Sequence, residues 1–205
     1  RDITIDNSVS TQGDGDISVT SQRDIEFTNS IQASDGDVTL SAGRDIDGDN
    51  TTGLVEVSAG GTLRITSVDS VTGGAATGFT TGINNLVIEE AFGAVSILNN
   101  GGLNVIDVNV HGDATLTATT GDLSIDRLVS GSDVVLAAGI FNIEALSDGT
   151  NITAESLAIE SAGTVQGQAG GRLETDVNSL EMSKVTTKVT LTNVSDLEIG
   201  TGGID

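Results

Sequence analysis

The 205-residue chain contains no cysteine, no proline, no tryptophan and no tyrosine. Without cysteine there are no disulfides, no thiolate metal sites and no thiol nucleophile. Without proline nothing interrupts a ladder of backbone hydrogen bonds, because proline is excluded from internal strands. Four Phe are the whole aromatic complement, which argues against the irregular core of a large α/β enzyme, where rings fill volume efficiently. Positive charge is scarce: 8 Lys and Arg stand against 30 Asp and Glu, for a formal charge of −22. This disfavours nucleic acid and anionic lipid, whose binding needs cationic patches. No apolar run approaches the roughly 18–20 residues of a membrane span, so no membrane insertion is expected. No secretory leader is visible and residue 1 is Arg, which reads as a processed segment or an excised piece of something longer.

What the chain does have is glycine, 27 residues of it, and many Val, Leu, Ile and Ala. Glycine suggests positive-φ corners between short strands. Apolar and polar residues alternate with period two: Ile3-Thr4-Ile5, Ile17-Ser18-Val19, Ile25-Glu26-Phe27, Val38-Thr39-Leu40, Val55-Glu56-Val57, Leu63-Arg64-Ile65, and later Leu123-Ser124-Ile125, Leu157-Ala158-Ile159, Val189-Thr190-Leu191 and Leu197-Glu198-Ile199. That is the mark of half-buried strands, and no stretch holds a convincing helical period.

A triplet recurs as well. Arg1-Asp2-Ile3, Arg23-Asp24-Ile25 and Arg44-Asp45-Ile46 lie 22 and 21 residues apart, with a degraded copy at Leu63-Arg64-Ile65. Self-similarity at this period signals a solenoid, each repeat being one coil that cannot bury its apolar face alone. Three short strands and three turns account for such a coil. The expectation is an all-β, right-handed parallel β-helix of about ten coils of about 19–22 residues, a rod about 50 Å long. Anchoring each coil on one apolar residue gives the series Ile5, Phe27, Ile65, Ile88, Val105, Ile125, Ile143, Ile159, Met182, Ile199. The rhythm breaks between Ser70 and Asn85, a small-residue stretch that reads as a loop 70–85 thrown out from the rod. No linker divides the chain, so 1–205 reads as a single β-helix segment of a longer repetitive protein.

The run Gly36-Asp37-Val38-Thr39-Leu40-Ser41-Ala42-Gly43-Arg44-Asp45-Ile46 resembles the repeats of filamentous-haemagglutinin-like exoproteins, among the two-partner secretion adhesins and related bacterial surface proteins. Residues 13–27 carry a second copy, and Gly112 to Leu116 and Gly121 to Ile125 keep its first half. The resemblance implies a right-handed β-helix shaft exported across an outer membrane to the bacterial cell surface, with roles in adhesion, biofilm or contact between cells. Its partners would be a glycan or protein of a host or neighbouring cell. The secretion domain that such proteins carry at their start is not recognisable here.

Arg1, Arg23, Arg44 and Arg64 recur once per coil, so they are expected to stack along one edge as a salt-linked ladder. Asp2, Asp24 and Asp45 would compensate their mutual repulsion. Asp45, Asp47, Asp49 and Glu56 approximate the oxygen-ligand spacing of a calcium loop, but Gly48 sits at position four instead of six and no helices flank the segment. An Asp/Gly turn is the simpler reading, with no metal or cofactor expected. The single histidine, His111, falls at an expected corner and reads as exposed. One histidine and no cysteine leave metal-hydrolase and histidine-based nucleophile schemes short of parts. Paired carboxylates would serve a polysaccharide-cleaving β-helix, but no Trp or Tyr is present to stack on sugar rings. Asn50-Thr51-Thr52, Asn151-Ile152-Thr153 and Asn193-Val194-Ser195 match the short glycosylation pattern. The chain stops in mid-repeat at Gly202-Gly203-Ile204-Asp205, which suggests a longer parent or copies stacking end to end. A non-catalytic shaft or adhesive segment is therefore expected, with an end-to-end filament subunit and a polysaccharide-cleaving enzyme as alternatives.

Overall fold

The structure, a computed structural model, describes residues 1–49, 54–73, 78–167 and 171–204. Alternation has the consequence expected of it. In β4 (Ile25–Phe27) Ile25 and Phe27 are buried and Glu26 is exposed; in β13 (Ala114–Ala118) Ala114, Leu116 and Ala118 point inward and the two threonines outward. A strand with one apolar side must cover it, and here the cover is the rest of its own coil. Among the described residues twenty-two strands, from β1 (Ile3–Ile5) to β22 (Glu198–Ile204), join into one continuous all-parallel β-solenoid, and there is no helix.

One ladder runs the length of the rod. Ile3 pairs with Ile25, then Ile46, Val71, Val95, Ala114, Val134, Leu157, Leu180 and Ile199 in turn. The rungs at the two ends have a neighbour on one side only, and the solenoid amounts to about eight turns, fewer than the ten coils expected. The step between partners on this ladder averages about 22 residues, at the upper end of the expected range.

Corners also differ from expectation. Several strands continue round them instead of ending. β18 (Ile152–Gln166) pairs along successive parts of its length with five other strands, and a register shift marks its bend. Glycine is less a turn-former here than a spacer. Among the described residues only Gly13, Gly78, Gly139 and Gly149 have positive φ. Elsewhere the need is close approach: a Cβ on Gly36 would lie 2.3 Å from the carbonyl oxygen of Gly15, one coil below.

The core is a single column of Ile, Val, Leu and Ala. Phe27 and Phe79 meet edge to face inside it, centroids 5.2 Å apart. The expected loop 70–85 is mostly wound into the rod. Ser70–Thr72 (β9) and Phe79–Ala91 (β10) are strands, and 74–77 lie outside the described residues.

Candidate functional site

The repeated Gly-Asp pair has a structural task that its spacing alone does not reveal. In four of the pairs the Asp side chain, of Asp16, Asp37, Asp113 or Asp122, accepts a hydrogen bond from the backbone N–H at the equivalent position one coil later. Asp16 Oδ1 accepts from the Asp37 N–H at 2.9 Å, and Asp37 Oδ1 from the Thr62 N–H at 2.7 Å. Asp24 and Asp45, Asp113 and Asp133, and Asp122 and Asn142 repeat the arrangement. The carboxylates thus satisfy amides left over at strand entrances and, for Thr62, at the bend inside a strand. Replacing Asp37 by Ala leaves the Thr62 amide to water; we expect a loss of about 1 kcal/mol. It would be read as a lower urea midpoint at unchanged slope.

Two of the four recurring arginines stack. Arg23 Nε is 3.3 Å from Asp2 and Arg44 Nε 3.5 Å from Asp24, while each also approaches the Asp that follows it, at 3.8 Å. The Arg44 N–H donates to the Arg23 carbonyl at 3.1 Å. Arg1 stands at the open end of this edge, and its carbonyl accepts from Ser21 Oγ at 2.6 Å. Arg64 is elsewhere. It is in register with Thr39 and Val87 on another side of the coil, and its partner is Glu89 at 3.0 Å. Its place on the arginine edge is taken by Asp69, whose N–H donates to the Arg44 carbonyl.

The acidic residues of the calcium-like segment do not converge. Asp45 Oδ1 accepts from Ser70 Oγ at 2.5 Å and Asp47 Oδ1 from Thr72 Oγ1 at 2.7 Å, one coil on. Among the described residues no group of three or more His, Cys, Asp or Glu side chains is placed to hold a metal ion.

Glu56 turns inward. It is 1% exposed, and its Oε2 accepts from the Thr80 N–H at 2.8 Å. Backbone donors of Asp49 and of Glu56 itself also reach the carboxylate. Burial pushes its pKa above the ordinary glutamate value, and these hydrogen bonds oppose the rise without cancelling it. Between the unfolded and folded pKa values the folded chain therefore holds more protons than the unfolded one. The Glu56 contribution to stability falls as pH rises through that window. Denaturant titrations across this range should show the balance between wild type and Glu56→Gln moving in the variant's favour with rising pH.

Buried asparagines form the other polar feature, and sequence reasoning missed them. Asn99 Oδ1 accepts from Thr81 Oγ1 at 2.9 Å and the Ile83 N–H at 3.0 Å; its Nδ2 donates to the carbonyls of Ile83 and Gly102. Asn193 repeats this with Thr175 and Val177 at the same spacing. Asn151, 1% exposed, donates to the carbonyls of Ile125, Asp126 and Ser147. Two of the three glycosylation-like motifs thus use their Asn to tie coils together, and Asn50 lies outside the described residues. The inward parity of Phe79-x-Thr81-x-Ile83 and Val95-x-Ile97-x-Asn99 was the available signal.

His111 is exposed at its corner, its ring stacked on Phe92 at 5.3 Å and Nε2 3.2 Å from Glu90. Among the described residues one buried side-chain polar atom, Thr190 Oγ1, lacks a protein partner. The fold and these contacts define a class: an all-parallel β-solenoid whose polar side chains serve coil-to-coil bonding. Protein-family models, curated proteins and solved structures provide no match to the chain.

Proposed function

We propose that the chain is a non-catalytic structural shaft, an adhesive segment of a protein exported to the bacterial cell surface. It would hold a distal element away from the cell or present a side of the rod to a glycan or protein of another cell. The observation that carries this reading is the ladder from Ile3 to Ile199, uninterrupted over the rod and joined at its corners by side chains that serve the next coil. Carboxylates and amides so engaged are held away from chemistry on a substrate. End-to-end stacking of copies is a second reading, since parallel rungs that pair within one solenoid can pair in the same way between copies.

The test is twofold. Small-angle scattering should show a discrete rod, where filaments growing with concentration would favour end-to-end stacking. A screen of neutral and acidic polysaccharides should release no reducing or unsaturated ends. Turnover in that screen would replace the shaft by a polysaccharide-cleaving enzyme.

A further inference from the structure

The buried Asn99 is followed at once by a step of a different chemical kind. Asn100-Gly101 is the one Asn-Gly pair in the sequence. Asparagine is thermolabile because the backbone nitrogen of the next residue can attack its side-chain carboxamide without an enzyme. Glycine in the next position favours the attack, since the missing Cβ leaves the nitrogen open and the backbone free to approach. In a folded chain three conditions govern the reaction. Water must reach the carboxamide, the attacking N–H must be unoccupied, and neither residue may be locked in a ladder.

Asn100 and Gly101 meet all three. Asn100 is exposed, and the pair lies in the bend between β11 (Val95–Asn99) and β12 (Leu103–Val110). Among the described residues no hydrogen bond engages the Asn100 carboxamide or the Gly101 N–H. Other asparagines show what protection looks like. Asn99 is buried with its carboxamide in four hydrogen bonds. Asn29 Oδ1 accepts from Ser8 Oγ and from the Ser30 N–H, which is the nitrogen that would have to attack. Asn193 makes the same inter-coil bonds as Asn99, but a β-branched residue follows it, and the Val194 N–H donates to the Thr175 carbonyl at 2.8 Å.

We propose that Asn100-Gly101 is a self-modification site of the folded chain. The Gly101 nitrogen bonds to Asn100 Cγ, the carboxamide C–N bond breaks, and ammonia leaves with the Gly101 proton. Water then adds to either carbonyl of the cyclic imide and opens it, leaving an aspartyl or an isoaspartyl residue at position 100. Water is the sole co-reactant. Each product adds negative charge to a chain already at −22. The isoaspartyl product also draws a side-chain carbon into the main chain and lengthens it by one bond, about 1.5 Å. The extra length falls inside a span fixed at both ends. At one end the Asn100 N–H donates to the Thr81 carbonyl at 2.7 Å; at the other Asn99 Nδ2 donates to the Gly102 carbonyl at 2.8 Å. The two bonds lose their common register, and the tie between these coils loosens at a time set by the chain's own chemistry.

Incubation of the folded chain at mildly alkaline pH, followed by peptide mapping with tandem mass spectrometry, tests it. Replacement of –NH2 by –OH should accumulate at position 100 several-fold faster than at any other asparagine, and at a rate close to that of the urea-unfolded chain. Gly101→Ala should slow it several-fold. That variant should fold normally: Gly101 is not among the positive-φ glycines, and its added Cβ would have Asn99 Nδ2, at 3.6 Å, as its nearest neighbour. Chains fractionated for the isoaspartyl linkage should unfold at lower urea than the parent, whereas Asn100→Asp, which adds the charge alone, should stay close to it. A position 100 that stays intact while other asparagines convert overturns the proposal. So does a native rate far below the unfolded one, or equal rates in wild type and Gly101→Ala. An isoaspartyl form as stable as the parent overturns the loosening. The site does not rest on the shaft reading, and neither rod-like scattering nor glycan turnover would alter these outcomes.

Discussion

Replacing Asn99 by Leu should lower stability by about 4 kcal/mol, the largest effect expected of any single polar substitution in the chain. Leucine has the same branched shape, with bulkier methyl ends, but makes none of the four hydrogen bonds. Thr81 Oγ1, the Ile83 N–H and the carbonyls of Ile83 and Gly102 would lose their partner. The residue is 0% exposed, so water cannot replace the lost bonds without entering the core. Each buried group left unsatisfied costs about 1–3 kcal/mol, and relaxation keeps the total below the sum. Equilibrium urea unfolding measures the change. Asn193→Leu is the control, because the same bonds are made there by a residue only half-buried, and its loss should be clearly smaller. Equal losses at the two sites would mean that burial does not set the cost.

Gly43→Ala should cost about 3 kcal/mol, through crowding rather than through backbone conformation. A Cβ on Gly43 would sit 2.2 Å from the carbonyl oxygen of Gln22 and 2.8 Å from its carbon, both backbone atoms of the coil below. No rotamer change relieves that clash. The two coils must separate locally, weakening the Gly43 N–H bond to the Ser21 carbonyl at 3.1 Å, and overpacking of this kind costs about 1–3 kcal/mol or more. Gly13→Ala provides the contrast. Gly13 has φ of 63° with open space around a Cβ, so only the left-handed conformation is penalised, by about 1 kcal/mol. Amide exchange should show the Gly43 damage in the two adjoining coils, with distant coils keeping their protection.

The parallel winding was legible because its cause is local. Alternation along each strand fixes which side faces in, and the recurring triplet fixes the period. Which side of the coil a given strand occupies was not legible, since all sides carry the same alternation. The anchor series shows this: Ile5 and Phe27 share one side, Ile65 and Ile88 another, and Ile159 and Met182 return to the first. Arg64 was put on the arginine edge for the same reason. It sits in an apolar-Arg-apolar setting that belongs to mid-strand and not to a corner. Glu56 misled differently. Its place between Val55 and Val57 suggested an outward residue, but the strand there, β8 (Val57–Ile65), begins only after it, and at the corner the carboxylate folds in. The role of the Gly-Asp pairs needed three dimensions, because donor and acceptor are about 20 residues apart and meet only once the coils are stacked.

The parallel ladder aligns its interstrand hydrogen bonds with the rod's long axis. Tension applied between the two ends therefore peels rungs in succession instead of shearing many together. One coil of about 22 residues released into extended chain lengthens the molecule by about 70 Å. Stretching would then proceed as a staircase of nearly equal increments, each dissipating work and each reversible when the force falls. A rod of this kind behaves as a reel of stored length, stiff at rest and compliant under a sudden pull.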